Sequence, residues 1–181
     1  MRQAQKRRVL FDPTFVPEES RRAYRLAAIL FWSMLLALLC QRHVIAMGII
    51  TDKSMVPTLE DGSYVLVNKY VYYFSRPKRG EVVVLRNTAW RPEPYVKRVI
   101  ALEGEALLIR AGHVYIDGRL LQESYAAGPT FPDFGPHRLA KGCYFVMGDN
   151  RVGSEDSRHF GDVCLSDIDG RITPNRWFAF W

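Results

Sequence analysis

The feature that most constrains this chain is an apolar run near its N-terminus. Residues 26–40 read LAAILFWSMLLALLC, and Ser33 is the only polar side chain among them. A helix that spans a bilayer usually needs about 17–25 such residues, so the run is short for that role. Eight of its residues are Leu, Ile or Phe, which favour insertion at the centre of a membrane helix. The run therefore predicts a transmembrane anchor over residues 26–43.

The charge before this run predicts its orientation. Residues 1–25 have a net charge of +4, whereas the rest of the chain contributes only +2 to the total of +6. Lys and Arg are concentrated on the cytoplasmic side of membrane helices. We therefore expect residues 1–25 to be a basic cytoplasmic segment and residues 44–181 to be exported from a single-pass protein of the inner or plasma membrane. A near-neutral body also argues against nucleic acid as a partner and leaves the lipid bilayer.

Two other interpretations of the apolar run were weighed. A buried core helix would present a polar stripe, which the run lacks. A cleaved secretory signal also fits a run of this length, and Val44-Ile45-Ala46 has small residues at a suitable spacing. Arg42 and His43 lie between the run and that site, and they argue against cleavage. Under either the anchor or the signal interpretation, the rest of the chain is exported.

The exported part is predicted to be mostly β. From residue 63 onward apolar residues alternate over short stretches, and no helical period is evident. The predicted strands lie within 63–73, 80–86, 94–102, 106–110, 113–121 and 143–148. Asp117-Gly118 predicts a tight hairpin turn, and Ala111-Gly112 predicts a weaker one. Segments 86–94 and 122–141 are rich in Pro and Gly and predict loops.

Two separate segments contain residues suited to nucleophilic catalysis. Ser54 lies in TDKSMVPTL at 51–59, and a serine becomes a nucleophile only if a base removes its proton. In the predicted strand at 94–102, side-chain alternation directs either Lys97 or Arg98 toward the packed face, unless the strand is at an edge. A lysine amine has a pKa of about 10.4 in water, and burial lowers that value. A buried Lys97 would then be a base for Ser54, whereas each residue alone is more often a turn serine or a strand lysine.

A third segment, GDNRVGSEDSRHFG at 148–161, follows the last predicted strand. Such a polar loop is expected to be held by its own hydrogen bonds, with Asp149 or Asp156 pairing with Arg158. A catalytic triad of Ser157, His159 and Asp156 is rejected, because residues so close in sequence rarely converge on one point.

In this order, after one apolar run, these segments resemble the type I signal peptidases, which are membrane-anchored serine proteases with a Ser-Lys dyad. The resemblance covers residues 22 to 175 approximately and is carried by SMVPTL at 54–59, RGEVVV at 79–84, YVKRV at 95–99, GDNR at 148–151, Ser154, DSR at 156–158 and Gly161. It implies a domain of antiparallel sheets that cleaves signal peptides from exported preproteins after small residues at positions −1 and −3. It also implies no cofactor and no metal, and it makes the secretion machinery a candidate partner.

The resemblance also implies roles for individual residues. Ser54 is expected to be the acylating nucleophile and Lys97 its general base, with Ser154 orienting the lysine amine. Ion pairs of Asp149, Asp156 and Arg158 are expected to brace the active-site strands. The pockets for the substrate residues at −1 and −3 are expected to be lined by Ile50, Met55, Leu59, Tyr95 and Val96.

One position departs from the family pattern. Many members have a hydroxyl two residues before the nucleophile, as a second donor to the oxyanion, whereas this chain has Asp52. A carboxylate cannot donate unless it is protonated, and its charge opposes a developing oxyanion. We therefore expect the Ser54 N–H and another main-chain donor to serve, with Asp52 turned away.

The cysteines are compatible with an exported domain. Cys143 and Cys164 flank the third segment, and an oxidising compartment permits a disulfide between them, although spacing alone does not decide it.

Three alternative functions remain. The first is a dedicated peptidase for one client, such as a pilin precursor of a secretion or conjugation system. The second is a self-cleaving repressor with the same Ser-Lys β core, although such repressors have a DNA-binding helix-turn-helix where this chain has its apolar run. The third is a non-catalytic, anchored β module that binds exported partners.

Overall fold

The computed structural model describes residues 18–43, 45–86 and 93–173. The chain divides between Cys40 and Gln41 into an N-terminal unit and a larger C-terminal unit. Helix α1, Glu18–His43, has 26 residues, and all but the last three belong to the N-terminal unit. At a rise of about 1.5 Å per residue this helix exceeds the hydrocarbon thickness of a bilayer, roughly 30 Å. Its stretch Ser20–Leu39 is long and apolar enough to cross a membrane, with a mean hydropathy of 1.5.

The C-terminal unit is built almost entirely of short strands. They are β1 Ile45–Ile49, β2 Tyr64–Asn68, β3 Val82–Leu85, β4 Tyr95–Ala101, β5 Ala106–Arg110, β6 His113–Ile116, β7 Arg119–Leu120, β8 Phe134–Arg138, β9 Cys143–Met147, β10 Val163–Cys164 and β11 Ile168–Thr173. Two single-turn helices, α2 Val71–Phe74 and α3 Ser157–Phe160, and a 3₁₀ turn at Leu165–Asp167 connect them.

The strands form two antiparallel sheets. The larger sheet has the order β1-β2-β11-β3-β4-β9-β10, and the smaller has the order β7-β6-β5-β8. Strand β4 is an interior strand that pairs with β3 on one side and β9 on the other. Both faces of β4 are covered, so all its residues except Val96 are buried. The mostly β, antiparallel fold is therefore confirmed.

Several predicted elements are confirmed in detail. Strands β2 to β6 and β9 lie within the predicted segments. The turn between β5 and β6 has positive φ at Ala111 (51°) and Gly112 (81°), and the turn between β6 and β7 has positive φ at Asp117 (48°) and Gly118 (76°). Two successive residues with positive φ are typical of the tightest hairpin turns, whose twist matches that of the strands they join.

Other predictions were wrong. The strand predicted over 63–73 ends at Asn68, because the Asn68 side chain accepts the N–H groups of Tyr70 (3.0 Å) and Val71 (3.1 Å) and begins α2. The two short helices were not predicted, because a single turn is too short to show the helical period that was sought from residue 63 onward. Strand β8 lies inside the predicted loop 122–141, and β11 was not predicted. Residues 87–92 of the other predicted loop lie outside the described residues, as do residues 1–17 and Val44.

The sheet order brings the chemically interesting segments together. Arg98 of β4 pairs with Met147 of β9, so the polar segment that begins at Gly148 starts beside the strand that contains Lys97. The segment with Ser54 connects β1 to β2 and bonds directly to that polar segment through Asn150. The active-site candidates therefore meet at the ends of β4 and β9.

Candidate active site

The centre of the site is a contact between a serine and a lysine. Lys97 Nζ lies 2.7 Å from Ser54 Oγ, which is hydrogen-bonding distance. Both side chains are buried, with 3% of Ser54 and 1% of Lys97 exposed. The structure thus brings together the two residues that the sequence paired.

Main-chain hydrogen bonds hold the nucleophile segment in place. The Ser54 carbonyl accepts the Asn150 N–H at 2.9 Å, and the Asn150 side-chain amide donates to the Lys53 carbonyl at 3.2 Å. Gly148 permits this close approach, because a Cβ at that position would lie 2.5 Å from the Ser54 carbonyl oxygen. Asn150 and Gly148 belong to the GDNR motif, but the sequence did not indicate that they position the serine.

Asp52 is not turned away from the site, and the expectation that it would be was wrong. Its Oδ1 accepts the backbone N–H of Ser54 at 2.9 Å. A carboxylate two residues before a main-chain N–H readily forms this local hydrogen bond. The donor that we expected to serve the oxyanion is therefore occupied in this structure.

Ser154 is buried beside the dyad segment, with 6% of the residue exposed. Its Oγ packs against Gly148, where an added Cβ would lie 2.3 Å from it. The hydroxyl lies near the Asp156 carboxylate, which helps to lower the pKa of that carboxyl, but it falls short of a hydrogen bond with any described residue. The structure therefore places Ser154 next to the site without a hydrogen bond to Lys97.

Asp156 and Arg158 form a buried ion pair within the third segment. Arg158 Nε and one terminal nitrogen each lie 2.8 Å from an oxygen of Asp156. The same carboxylate accepts the Gly148 N–H at 3.0 Å and caps helix α3. Burial alone would raise the pKa of Asp156, but the hydrogen bonds and charge of Arg158, with the Gly148 amide, outweigh it and lower that pKa. Of the two aspartates considered, Asp156 is thus the partner of Arg158.

Asp149 pairs instead with Arg98. The guanidinium of Arg98 contacts both oxygens of Asp149, at 2.7 and 2.6 Å, and it also donates to the Gly80 carbonyl at 2.7 Å. It lies 4.2 Å from the centre of the Tyr125 ring. We expected only one of the two adjacent cations to face the packed side, but β4 is interior, so both Lys97 and Arg98 are buried.

Arg151 is a further buried cation that the sequence did not single out. It donates two hydrogen bonds to the carboxylate of Glu123, at 2.9 and 2.6 Å, and another to the Thr130 hydroxyl. These contacts join the third segment to the segment between β7 and β8. Arg151 belongs to the GDNR motif, but its partners lie 21 and 28 residues away, so no local sequence pattern predicts these contacts.

The predicted pocket residues do not all lie together. Ile50, Met55 and Leu59 are buried in one apolar cluster, and Val96 packs against it. Tyr95 belongs to a different cluster and makes an edge-to-face contact with Phe160, with ring centres 5.7 Å apart. Side-chain alternation explains the separation, because adjacent residues of a strand point to opposite faces.

Ser157 and His159, which were rejected as members of a catalytic triad, make hydrogen bonds that stabilise the fold. The Ser157 hydroxyl accepts the Val146 N–H at 3.0 Å, and His159 lies 3.4 Å from the Asp156 N–H as part of the cap of α3. Cys143 and Cys164, which face each other on β9 and β10, form a disulfide. Within the described ranges, no group of three or more His, Cys, Asp or Glu side chains is arranged to hold a metal ion.

Known proteins resemble this chain over most of its length. The model of the family described as signal peptidase, peptidase S26, matches residues 23–177. Signal peptidase I of Leptolyngbya laminosa is 36% identical over 152 residues, which cover 80% of this chain and 75% of that protein. Signal peptidase I T of Bacillus subtilis (strain 168) is 38% identical over 159 residues, which cover 82% of this chain and 80% of that protein.

A solved structure is similar as well. The crystal structure of a signal peptidase I from Enterococcus faecalis V583 aligns with a TM-score of 0.50 and 30% identity, and the alignment covers 55% of this chain and 98% of that one. The family match extends over most of the chain and includes both dyad residues and the whole third segment. This chain therefore belongs to the signal peptidase family, peptidase S26.

Proposed function

We propose that this chain is a membrane-bound serine endopeptidase that removes N-terminal signal peptides from exported preproteins, with Ser54 as nucleophile and Lys97 as general base. The observation that carries the proposal is the 2.7 Å contact between Lys97 Nζ and Ser54 Oγ. Two buried polar side chains from segments 43 residues apart meet there. Membership of the signal peptidase family supports the substrate class.

Burial is the physical basis for the base. Lys97 is 1% exposed, and removal from water disfavours the charged ammonium relative to the neutral amine. In the neutral form Nζ accepts the proton of Ser54 Oγ while Oγ attacks the carbonyl carbon of the substrate residue at −1. The C–N bond then breaks, and the new N-terminus leaves with the proton from Lys97. Water, deprotonated by Lys97, hydrolyses the ester on Ser54.

Buried neighbours are proposed to hold Ser54 and Lys97 in their relative positions. Ser154 would orient Lys97, since its buried hydroxyl has no hydrogen-bond partner among the described residues and is available to the amine. The Asp156–Arg158 pair would hold the loop that contains Ser154, and Asp149 would hold β4 through Arg98.

Apolar residues beside Ser54 are proposed to select the substrate. Ile50, Met55, Leu59 and Val96 share one cluster next to the nucleophile, which supports a role in lining pockets for small residues at −1 and −3. Tyr95 lies in another cluster, so its contribution would be indirect. A pocket closed by large apolar side chains accepts alanine and excludes larger residues by steric clash.

We also propose that α1 anchors the protein in the bilayer with its N-terminus in the cytoplasm. The candidate span Ser20–Leu39 and the positive charge of residues 1–25, before the apolar run at 26–40, support this topology. The catalytic unit would then meet preproteins on the exported side, near the secretion machinery.

The test is cleavage of a purified preprotein by the full chain in detergent. Ser54→Ala and Lys97→Ala should each lower the rate about a thousandfold or more. Ser63→Ala and Lys53→Ala are matched controls close in sequence to the nucleophile and should keep the parental rate. Normal cleavage by both dyad variants would overturn the assignment. Running the same assay on a pilin precursor distinguishes a general peptidase from a dedicated one.

A further inference from the structure

We propose that Asp52 restrains the resting enzyme, because its carboxylate occupies the Ser54 N–H that catalysis needs for the oxyanion. The inference rests on the proposed function, since it concerns the same serine. It assigns to this chain a residue that lowers its own catalytic rate. Asp52 is a positioning residue here, since it acts through Ser54.

The first step is the geometry of the donor. The Ser54 N–H is fixed relative to Ser54 Oγ, so the carbonyl oxygen of an attacked substrate comes to lie beside it. In this structure the N–H already donates to Asp52 Oδ1 at 2.9 Å. One N–H cannot donate a full hydrogen bond to the carboxylate and to the oxyanion together, so the carboxylate must leave before the donor can act.

The second step concerns which partner moves. Ser54 is held by two further hydrogen bonds, from the Asn150 N–H to its carbonyl (2.9 Å) and from Lys97 Nζ to its hydroxyl (2.7 Å). These come from two different segments and keep the serine in place. Asp52 is only partly buried, and its carboxylate turns about side-chain torsions. Because the serine keeps its position, its N–H can reach an oxyanion only when the Asp52 carboxylate gives up its hydrogen bond.

The third step is electrostatic. A carboxylate at the oxyanion donor repels the negative charge that develops on the substrate oxygen. The same carboxylate accepts the Ser54 N–H while the Lys97 amine contacts the Ser54 hydroxyl, and a nearby negative charge favours the ammonium form, which cannot accept the serine proton. Until it is displaced, the Asp52 carboxylate thus opposes both the stabilisation of the oxyanion and the removal of the Ser54 proton by Lys97.

The experiment compares Asp52→Ala and Asp52→Asn with the parent enzyme, as full chains in detergent, on a signal-sequence peptide. Alanine removes the acceptor and the charge, whereas asparagine keeps an acceptor oxygen and removes only the charge. Asp52→Ala should raise kcat about tenfold, the equivalent of one charge-assisted hydrogen bond, and leave KM unchanged. Asp52→Asn, whose amide oxygen still accepts the Ser54 N–H, should raise kcat less than Asp52→Ala does. Asp61→Asn removes an exposed charge from the same segment and should leave kcat unchanged.

A second readout separates this role from a structural one. A peptide boronate forms a negatively charged tetrahedral adduct on the serine, and it should bind Asp52→Ala about tenfold more tightly than the parent, with a smaller gain for Asp52→Asn. A non-cleavable peptide that forms no adduct should bind all of them equally. A loop that had merely been loosened would weaken both ligands.

Distinct results overturn the inference and the proposed function. If Asp52→Ala folds normally but has an unchanged or lower kcat, Asp52 does not restrain the enzyme and the inference is wrong. If Asp52→Ala does not fold, the same criterion applies to Asp52→Asn. Cleavage that persists in Asp52→Ala combined with Ser54→Ala would instead refute Ser54 as the nucleophile.

Discussion

At the scale of single residues, the two adjacent cations of β4 have contrasting surroundings. Arg98 has a full set of partners in the Asp149 carboxylate, the Gly80 carbonyl and the face of Tyr125. Lys97 lies in the same strand and faces Ser54. A guanidinium retains its charge when buried, whereas a buried ammonium loses its proton more readily. The arginine is therefore suited to structure and the lysine to proton transfer.

This contrast predicts a large stability loss when Arg98 is removed. Arg98→Ala leaves the fully buried Asp149 carboxylate without its counter-charge, which should lower the free energy of unfolding by about 3–5 kcal/mol. Urea denaturation of the full chain in detergent measures the change. Arg119→Ala, at an exposed arginine, is the control and should stay within about 0.5 kcal/mol of the parent. A loss for Arg98→Ala as small as that of the control would contradict the structural role of the pair.

Contacts could be predicted from sequence for residues within a motif, but not for residues whose partners are distant along the chain. Ser54 and Lys97 were paired because the family pattern surrounds both, and the structure brings the two side chains into contact. Arg98 and Arg151 were not assigned partners, since Asp149 and Glu123 lie 51 and 28 residues away. Asp52 was misjudged because the expected charge repulsion overlooked a local hydrogen bond that its carboxylate accepts from the Ser54 backbone N–H.

At the scale of elements, the loop between β9 and β10 depends on one carboxylate. Asp156 binds Arg158, caps α3 and accepts the Gly148 N–H, and these contacts lower its pKa. A carboxyl whose pKa is lowered on folding stabilises the protein at pH values above its unfolded pKa of about 3.9, and that stability is lost as pH falls through the folded pKa.

The predicted result is acid sensitivity that depends on Asp156. The free energy of unfolding of the parent should decrease steadily as pH falls below about 4. Asp156→Asn should be less stable at neutral pH and should show a shallower decrease in acid, whereas Asp61→Asn, which removes an exposed carboxylate, should follow the parent. Urea titrations at several pH values measure the slopes. Equal slopes for Asp156→Asn and the parent would show that this carboxyl does not contribute.

Strands and hairpins were predicted correctly where alternating apolar residues were followed by residues typical of tight turns. The hairpins around Gly112 and Gly118 were predicted because both signals coincide there. The strand β11 was missed because it is short and because Gly170 occupies one of its buried positions. The charged residues Asp169 and Arg171 stand between those positions. That glycine is required by packing, since a Cβ there would lie 2.7 Å from the Asn68 carbonyl oxygen. Such a close approach between strands is not visible in the sequence.

At the scale of the whole molecule, the central prediction is topology. Helix α1 begins at Glu18, before the apolar run, so its length is sufficient for a membrane span although the run itself is short. In spheroplasts, whose plasma membrane is intact, added protease should digest a C-terminal tag and spare an N-terminal one. Replacing Arg21, Arg22 and Arg25 with Gln should increase the inverted fraction, because these charges lie just before the apolar run at 26–40.

Two outcomes would contradict this topology. Protection of the C-terminal tag would place the catalytic unit in the cytoplasm. Loss of the N-terminal tag from the mature protein, measured by intact mass, would favour a cleaved signal over a retained anchor. Equal numbers of substitutions at Lys78, Arg119 and Lys141, which lie in the C-terminal unit, are the control and should not change the orientation.

The central claim is that Ser54 forms the covalent bond to substrate, and Ser54→Cys tests it most directly. A thiol at this position should retain a reduced rate of preprotein cleavage, because sulfur is also a nucleophile. The measurement is that rate before and after treatment with methyl methanethiosulfonate, a small thiol reagent. The account predicts that treatment abolishes cleavage by Ser54→Cys and leaves the parent enzyme, with its native cysteines, unaffected. Cleavage by Ser54→Cys that continues at the same rate after complete modification of the new thiol would contradict it.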